Sequence, residues 1–173
     1  MDELNADPLY LSLRQARRLI LCNCTSIICQ MTTPTGPDLC YALAARKKAR
    51  YLTRLYDSKL APAGLSVSQF SILSLLGTHG SLKLAALGEL LIMERTSLVR
   101  ALKPLQAAAY VVTELPEPGK GRSFDLRLSA TGRQKVAQAE PLWHDAQREF
   151  EAGIGRERAV AQRNAVLELK LSV

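Results

Sequence analysis

Aromatic residues are scarce. Phe, Trp and Tyr make up 5% of the 173 residues, with a single Trp. A core of stacked rings is thereby excluded, and Leu, Ala and Val must build it. Four cysteines are too few, for a chain this long, to hold a disulfide-built secreted domain together. Cys22, Cys24 and Cys29 form C-x-C-x4-C with no His or carboxylate cluster beside them, a weak metal signal, and no metal site is expected. No apolar run reaches the ~18 residues that a membrane span needs. Leu19 to Cys29 follows Arg14, Arg17 and Arg18 and faintly imitates a secretion signal. The stretch "QMTTPTG" after it is a poor cleavage site, so a cytoplasmic protein is expected. The chain has no G-x-S-x-G, no phosphate-binding glycine loop and no H-E-x-x-H. Neither enzymatic activity nor a cofactor is expected.

Positive charge, by contrast, is abundant. The formal net charge is +7 and the pI about 9.5. Such a surplus suits an anionic partner: nucleic acid, a membrane surface or an acidic protein.

Residues 1–36 differ from the rest. They hold three of the four cysteines and close on the turn-rich "TTPTGP". Met31 is a candidate natural start, with residues 1–30 as an upstream extension. Residues 37–173 are expected to form the folded domain.

A helix is predicted over about 38–62. Leu39, Leu43, Ala44, Tyr51, Leu52, Leu55 and Tyr56 recur at helical spacing, and basic residues fill the other faces. Asp38 is its expected N-cap, and Pro62 and Gly64 stop it. A second helix opens on Ser66, with Gln69 placed for a capping box. A third is expected over Leu82 to Ile92. The fourth is "MERTSLVRALKPL", Met93 to Leu105, with a kink or loosened turn expected at Pro104. Tyr110 to Leu115 is predicted as a strand, "PEPGKGR" as a tight tip, and "SFDLRLS" as a returning strand with Phe124, Leu126 and Leu128 on one face. Ser129 opens a long fifth helix to about Gly153, and a sixth runs from about Arg156 to Leu171.

Three helices followed by a hairpin with a basic tip is the order of a winged helix-turn-helix, here about 65–132. The expected fold is mainly α with a small two-stranded β wing, flanked by long helices over about 38–62 and 133–171. The fourth helix puts Arg95, Thr96, Ser97, Arg100 and Lys103 on one side, and Leu98, Ala101, Leu102 and Leu105 on the other. Such a helix can enter a major groove with its first turns at base edges. Lys120 and Arg122 in the hairpin tip are placed to reach the adjacent minor groove or backbone.

These segments resemble the MarR family of bacterial transcription factors. The likeness rests on "GLSVSQFSILSLL", on "LAALGELLIMERTSLVRALKPLQAAAYV", and on "RSFDLRLSATG", which matches the family's wing from Arg122 to Gly132. Lys120 stands where the family usually has an acidic residue that braces the arginine. The resemblance implies a homodimer, with dimerisation helices from both ends of the chain, about 38–62 and 133–171, acting on double-stranded DNA at a pseudo-palindromic operator as a repressor. It also implies release by a small aromatic or apolar effector, or by cysteine oxidation. For the first, Tyr51, Phe70 and Trp143, with His144 beside them, are candidates to line a cleft between dimer helices and DNA-binding lobe. For the second, Cys40 in "LCYAL" is similar to the reactive-cysteine segment of the organic-hydroperoxide branch, although Ala44 and Arg54 stand where that branch has tyrosines. Cys40 as a small hydrophobe buried at the dimer interface is the competing reading. The alternative function is a winged-helix adaptor that binds a protein rather than DNA. It requires an apolar face where the fourth helix instead carries Arg95, Thr96, Ser97 and Arg100.

Overall fold

The computed structural model describes residues 35–114 and 124–169. By its contacts the chain divides after Leu39, and Cys40–Val173 forms one compact unit. Ahead of that unit, Gly36–Leu39 is a short 3-10 turn.

Helix α1 spans Tyr41–Leu60. It starts later than the sequence suggests. Asp38 lies within the 3-10 turn, and Cys40 is the cap residue, with no side-chain cap hydrogen bond. The 3-10 turn Ala61–Ala63 comes next and ends at Gly64, whose φ of 65° suits a residue without Cβ. Helix α2, Val67–His79, opens on the predicted capping box: Ser66 accepts from Gln69 N–H, and the Gln69 side chain accepts from Ser66 N–H. Asp57 Oδ1 also accepts from Val67 N–H at 2.7 Å, fastening α1 to the start of α2. His79 is the last residue of this helix.

The expected third helix loses its first two residues to a strand. Strand β1 is Ser81–Lys83, and helix α3 is Leu84–Leu91. The wing sheet is therefore three-stranded, not two-stranded: β1 pairs antiparallel with β3 (Asp125–Leu128), which pairs antiparallel with β2 (Val111–Glu114). Leu82 faces Leu126 in this register and turns its side chain inward. Leu126 and Leu128 are buried as expected, but Phe124 stays outside the strand and is 51% exposed.

Helix α4 is Arg95–Ala107 and continues through Pro104. Proline removes one helical donor, that to Arg100 C=O. Both residues are exposed, so water can satisfy that carbonyl, and the helix runs on. Ser129 caps helix α5, Ala130–Ile154, by accepting from Gly132 N–H. Gly155, at φ 87°, separates it from helix α6, Arg156–Leu167, which ends short of the predicted Leu171.

The core is continuous from the end of α1 through the head. Leu60, Leu65, Ile72, Leu73, Leu76, Leu87, Leu98, Leu102, Leu105 and Leu128 are its buried centre. The terminal helices contribute little. In α6 only Ala159 is buried, whereas Val166 and Leu167 are 60% and 75% exposed.

Candidate nucleic-acid interface

Helix α4 is fixed by its inner stripe. Leu98, Leu102 and Leu105 are buried, with Ala101 packed against them. With that face anchored, helical spacing leaves Arg95, Thr96, Ser97, Arg100 and Lys103 exposed. Among the described residues none of the three basic ones takes part in an ion pair. The N–H groups of the first turn have no capping side chain, since Glu94 makes no cap bond. Free N–H groups and free cations at a helix N-terminus are a ready-made anion site.

The turn before α4 sets its angle to α3. Met93 N–H donates to Gly88 C=O at 2.9 Å and Ile92 N–H to Glu89 C=O at 3.2 Å. This is the Schellman pattern, with Ile92 in the left-handed position that glycine usually takes. The sheet is tied to α4 from the other end: Gln106 Nε2 donates to Thr113 Oγ1 at 3.1 Å. Across β2 and β3, Arg127 pairs with Glu114 at 2.5 Å. Between α4 and the sheet lies a groove of about 520 Å³ lined by Arg95, Val99, Thr113, Phe124 and Lys83 among others. Lys83 is a basic neighbour of this α4 face that the sequence did not single out. It precedes α3 in a strand that was not legible. Lys120 and Arg122 lie outside the described residues.

The residues named for an effector are not all brought together. Phe70 and Trp143 stack, with ring centres 6.1 Å apart and planes at 27°. They line a cleft of about 730 Å³ between α2 and α5, with Ser74, Thr78, Arg133 and Glu140 at its polar side. Tyr51 does not line it and stands 63% exposed on α1. His144 meets the edge of Trp143 at 4.8 Å but belongs to a separate shallow cleft with Glu140 and Asp145. Cys40 is a free thiol at the α1 cap and is exposed within a single chain.

A third groove, about 440 Å³, runs between α1, α5 and α6, lined by Ala45, Ala49, Leu52, Phe150, Val160 and Val166 among others. Its wall holds Tyr56, whose hydroxyl donates to Gln147 Oε1 at 2.7 Å. Burial, and secondarily the charge of Glu151, holds the Tyr56 phenol above its ordinary pKa.

The MarR family model matches residues 63–123. No curated protein matches the sequence. Among solved structures, the chain is 30% identical to the M. tuberculosis transcriptional regulator MosR, covering 75% of this chain and 96% of that one, with a TM-score of 0.61. MosR in complex with DNA matches at 28% identity and the same TM-score, over 75% and 99% of the two chains. A mutant E. coli MarR complexed with operator DNA matches at 21% identity and a TM-score of 0.64, over 73% and 90%. Bordetella bronchiseptica BpsR, whose DNA binding is regulated by 6-hydroxynicotinic acid, matches at 14% identity and a TM-score of 0.70, over 81% and 99%. Winged-helix order, the wing sheet and the 30% identity along nearly the whole of MosR converge: the chain belongs to the MarR family of transcriptional regulators.

Proposed function

We propose that this chain is a sequence-specific DNA-binding transcriptional regulator, a repressor that acts as a homodimer on a pseudo-palindromic operator. One observation carries the reading: the exposed first turns of α4 hold Arg95, Thr96, Ser97, Arg100 and Lys103, with no ion-pair partner among the described residues. A protein-binding adaptor would want apolar side chains on this face. The apolar groove beside α6, with Val166 and Leu167 exposed next to it, supports the homodimer. The regulator works in the cytoplasm, and no single helix among the described residues is long and apolar enough to cross a membrane. Arg100→Ala is the test. If Arg100 contacts a base edge, selection from a random duplex library will show relaxed preference at one position per half-site, with affinity lower by about 1–3 kcal/mol. Unchanged preference and affinity remove Arg100 from the reading face.

The cleft at Phe70 and Trp143 supports release by a small aromatic or apolar effector. Arg133 at its rim suits an acidic group on that molecule. The exposed Cys40 thiol supports a second reading, in which oxidation releases the DNA. Cys40→Ser separates the two. If peroxide strips the parent from DNA and leaves the serine variant bound, oxidation is the signal. If peroxide acts on both or on neither while aromatic acids raise the melting temperature, the cleft is the sensor.

A further inference from the structure

Helix α1 carries more charge than a dimerisation helix needs. Arg46, Arg50 and Arg54 stand at i, i+4 and i+8, all exposed. None takes part in an ion pair among the described residues, whose pairs use Lys59, Arg127, Arg148 and Arg156 instead. The acid of this helix, Asp57, is committed to the Val67 N–H. Like charges at this spacing weaken a helix, so the fold itself gains nothing from the stripe. The arginines also face away from the apolar groove, because Ala45, Ala49, Leu52 and Tyr56 occupy another side of the helix, against α5 and α6.

We infer that this face of α1 is a second DNA contact, which grips the phosphodiester backbone without reading sequence. At 1.5 Å per residue the stripe spans about 12 Å. Over that length one strand of a duplex presents roughly three to four phosphates, at about one per 3.4 Å. Arginine rather than lysine suits the task, since its guanidinium binds phosphate oxygens in pairs. A membrane surface is a poorer fit, because Ala45, Ala49 and Leu52 line a groove against α5 and α6 on another side of the helix, so the arginine stripe has no apolar row beside it to enter lipid. An acidic protein segment would satisfy the charges equally, but the chain is already read as a duplex binder at α4, and a phosphate backbone is the anion that binding supplies. In that respect the inference rests on the DNA-binding reading of α4.

The test uses the full chain and a labelled random-sequence duplex, with affinity measured by anisotropy over a range of salt. Two variants are compared with the parent: Arg46→Gln/Arg50→Gln/Arg54→Gln on α1, and Arg95→Gln/Arg100→Gln/Lys103→Gln on α4. Each lost phosphate contact lowers the slope of log affinity against log salt by about 0.9, so the α1 variant is expected to lose roughly two to three units. Its affinity at low salt should fall at least about tenfold, with the mass in solution unchanged and the melting temperature no lower than the parent's. An unchanged slope overturns the inference. So does an altered mass with unaltered DNA binding, which would make the stripe an interface between copies. If only the α4 variant loses binding, the α1 contact is wrong and the reading of α4 stands. If only the α1 variant loses it, the α1 contact stands and α4 is not the reading face. If neither changes, both fall.

Discussion

Gly132 shows how much one hydrogen atom can decide. It sits in the first turn of α5, where the polypeptide passes the end of α4. A Cβ built there would lie 2.1 Å from the carbonyl oxygen of Tyr110 and 3.2 Å from Leu128. That carbonyl cannot swing away, because it accepts from Ser129 N–H at 3.0 Å. Ser129 Oγ adds a bond to Ala109 C=O at 2.6 Å. Gly132→Ala should therefore force the strand-to-helix junction apart, costing about 2–3 kcal/mol, as overpacking of a rigid site does. For a domain this size, thermal unfolding should move down by roughly 5–10 °C. A melting temperature within a degree of the parent's would show that the junction yields freely. The sequence motif placed this glycine but could not give its reason, which lies in a backbone atom 22 positions away. Ile92 and Ala109 are the opposite case. Both hold left-handed φ, 50° and 55°, at the ends of α3 and α4. Nothing in a β-branched residue or an alanine announces that conformation, because both are unfavourable there. The chain adopts it because two Schellman turns close the carbonyls of those helix ends.

At the scale of elements, legibility follows length. α2, α4 and α5 were readable because apolar residues repeat over several turns and Ser66 and Ser129 mark the starts. β1 was not, because three residues give no measurable alternation and its pairing partner Asp125–Arg127 is more than forty positions away. The polar pairs across the seam between α1 and α5 were equally invisible. Tyr56 donates to Gln147, and Lys59 pairs with Glu149 at 2.6 Å. Tyr56 gives this seam a pH signature. Its folded pKa is raised above the unfolded 10.0, so the folded state holds the phenolic proton more tightly. Stability from this group is complete below pH 10 and declines as pH rises through the folded value. Tyr56→Phe should lower stability at neutral pH by about 0.5–1.5 kcal/mol through the lost hydrogen bond. It should also flatten the alkaline limb of denaturant midpoint against pH. A variant whose alkaline limb is as steep as the parent's would assign that limb to other groups.

The whole molecule divides its surface by task, and the sequence disclosed that division unevenly. The α4 face could be read from charge and period together, because one helix supplies all of it. The cleft could be read only in part: Phe70 and Trp143 meet across two helices, while Tyr51 belongs to a third and stays outside it. Terminal helices were readable as apolar, but how much of the apolar stripe stays exposed on a single chain was not. Val166 and Leu167 are 60% and 75% exposed at the rim of the α1–α5–α6 groove. Burying such side chains against a second copy is worth about 1.5–3 kcal/mol each. Replacing both with aspartate, Val166→Asp/Leu167→Asp, removes that gain and places charges where a partner would need to exclude water. Because both positions are solvent-facing within one chain, the fold should survive, with helical circular dichroism unchanged. The dimer should weaken by at least about a hundredfold, given about 1.4 kcal/mol per factor of ten. Light scattering over a dilution series should then show the parent at twice the chain mass and the variant at the chain mass. DNA affinity should fall with it, since a lone head holds a single half-site and loses the advantage of two linked contacts. A variant that keeps the doubled mass would place the interface elsewhere and leave this groove without a second copy in it.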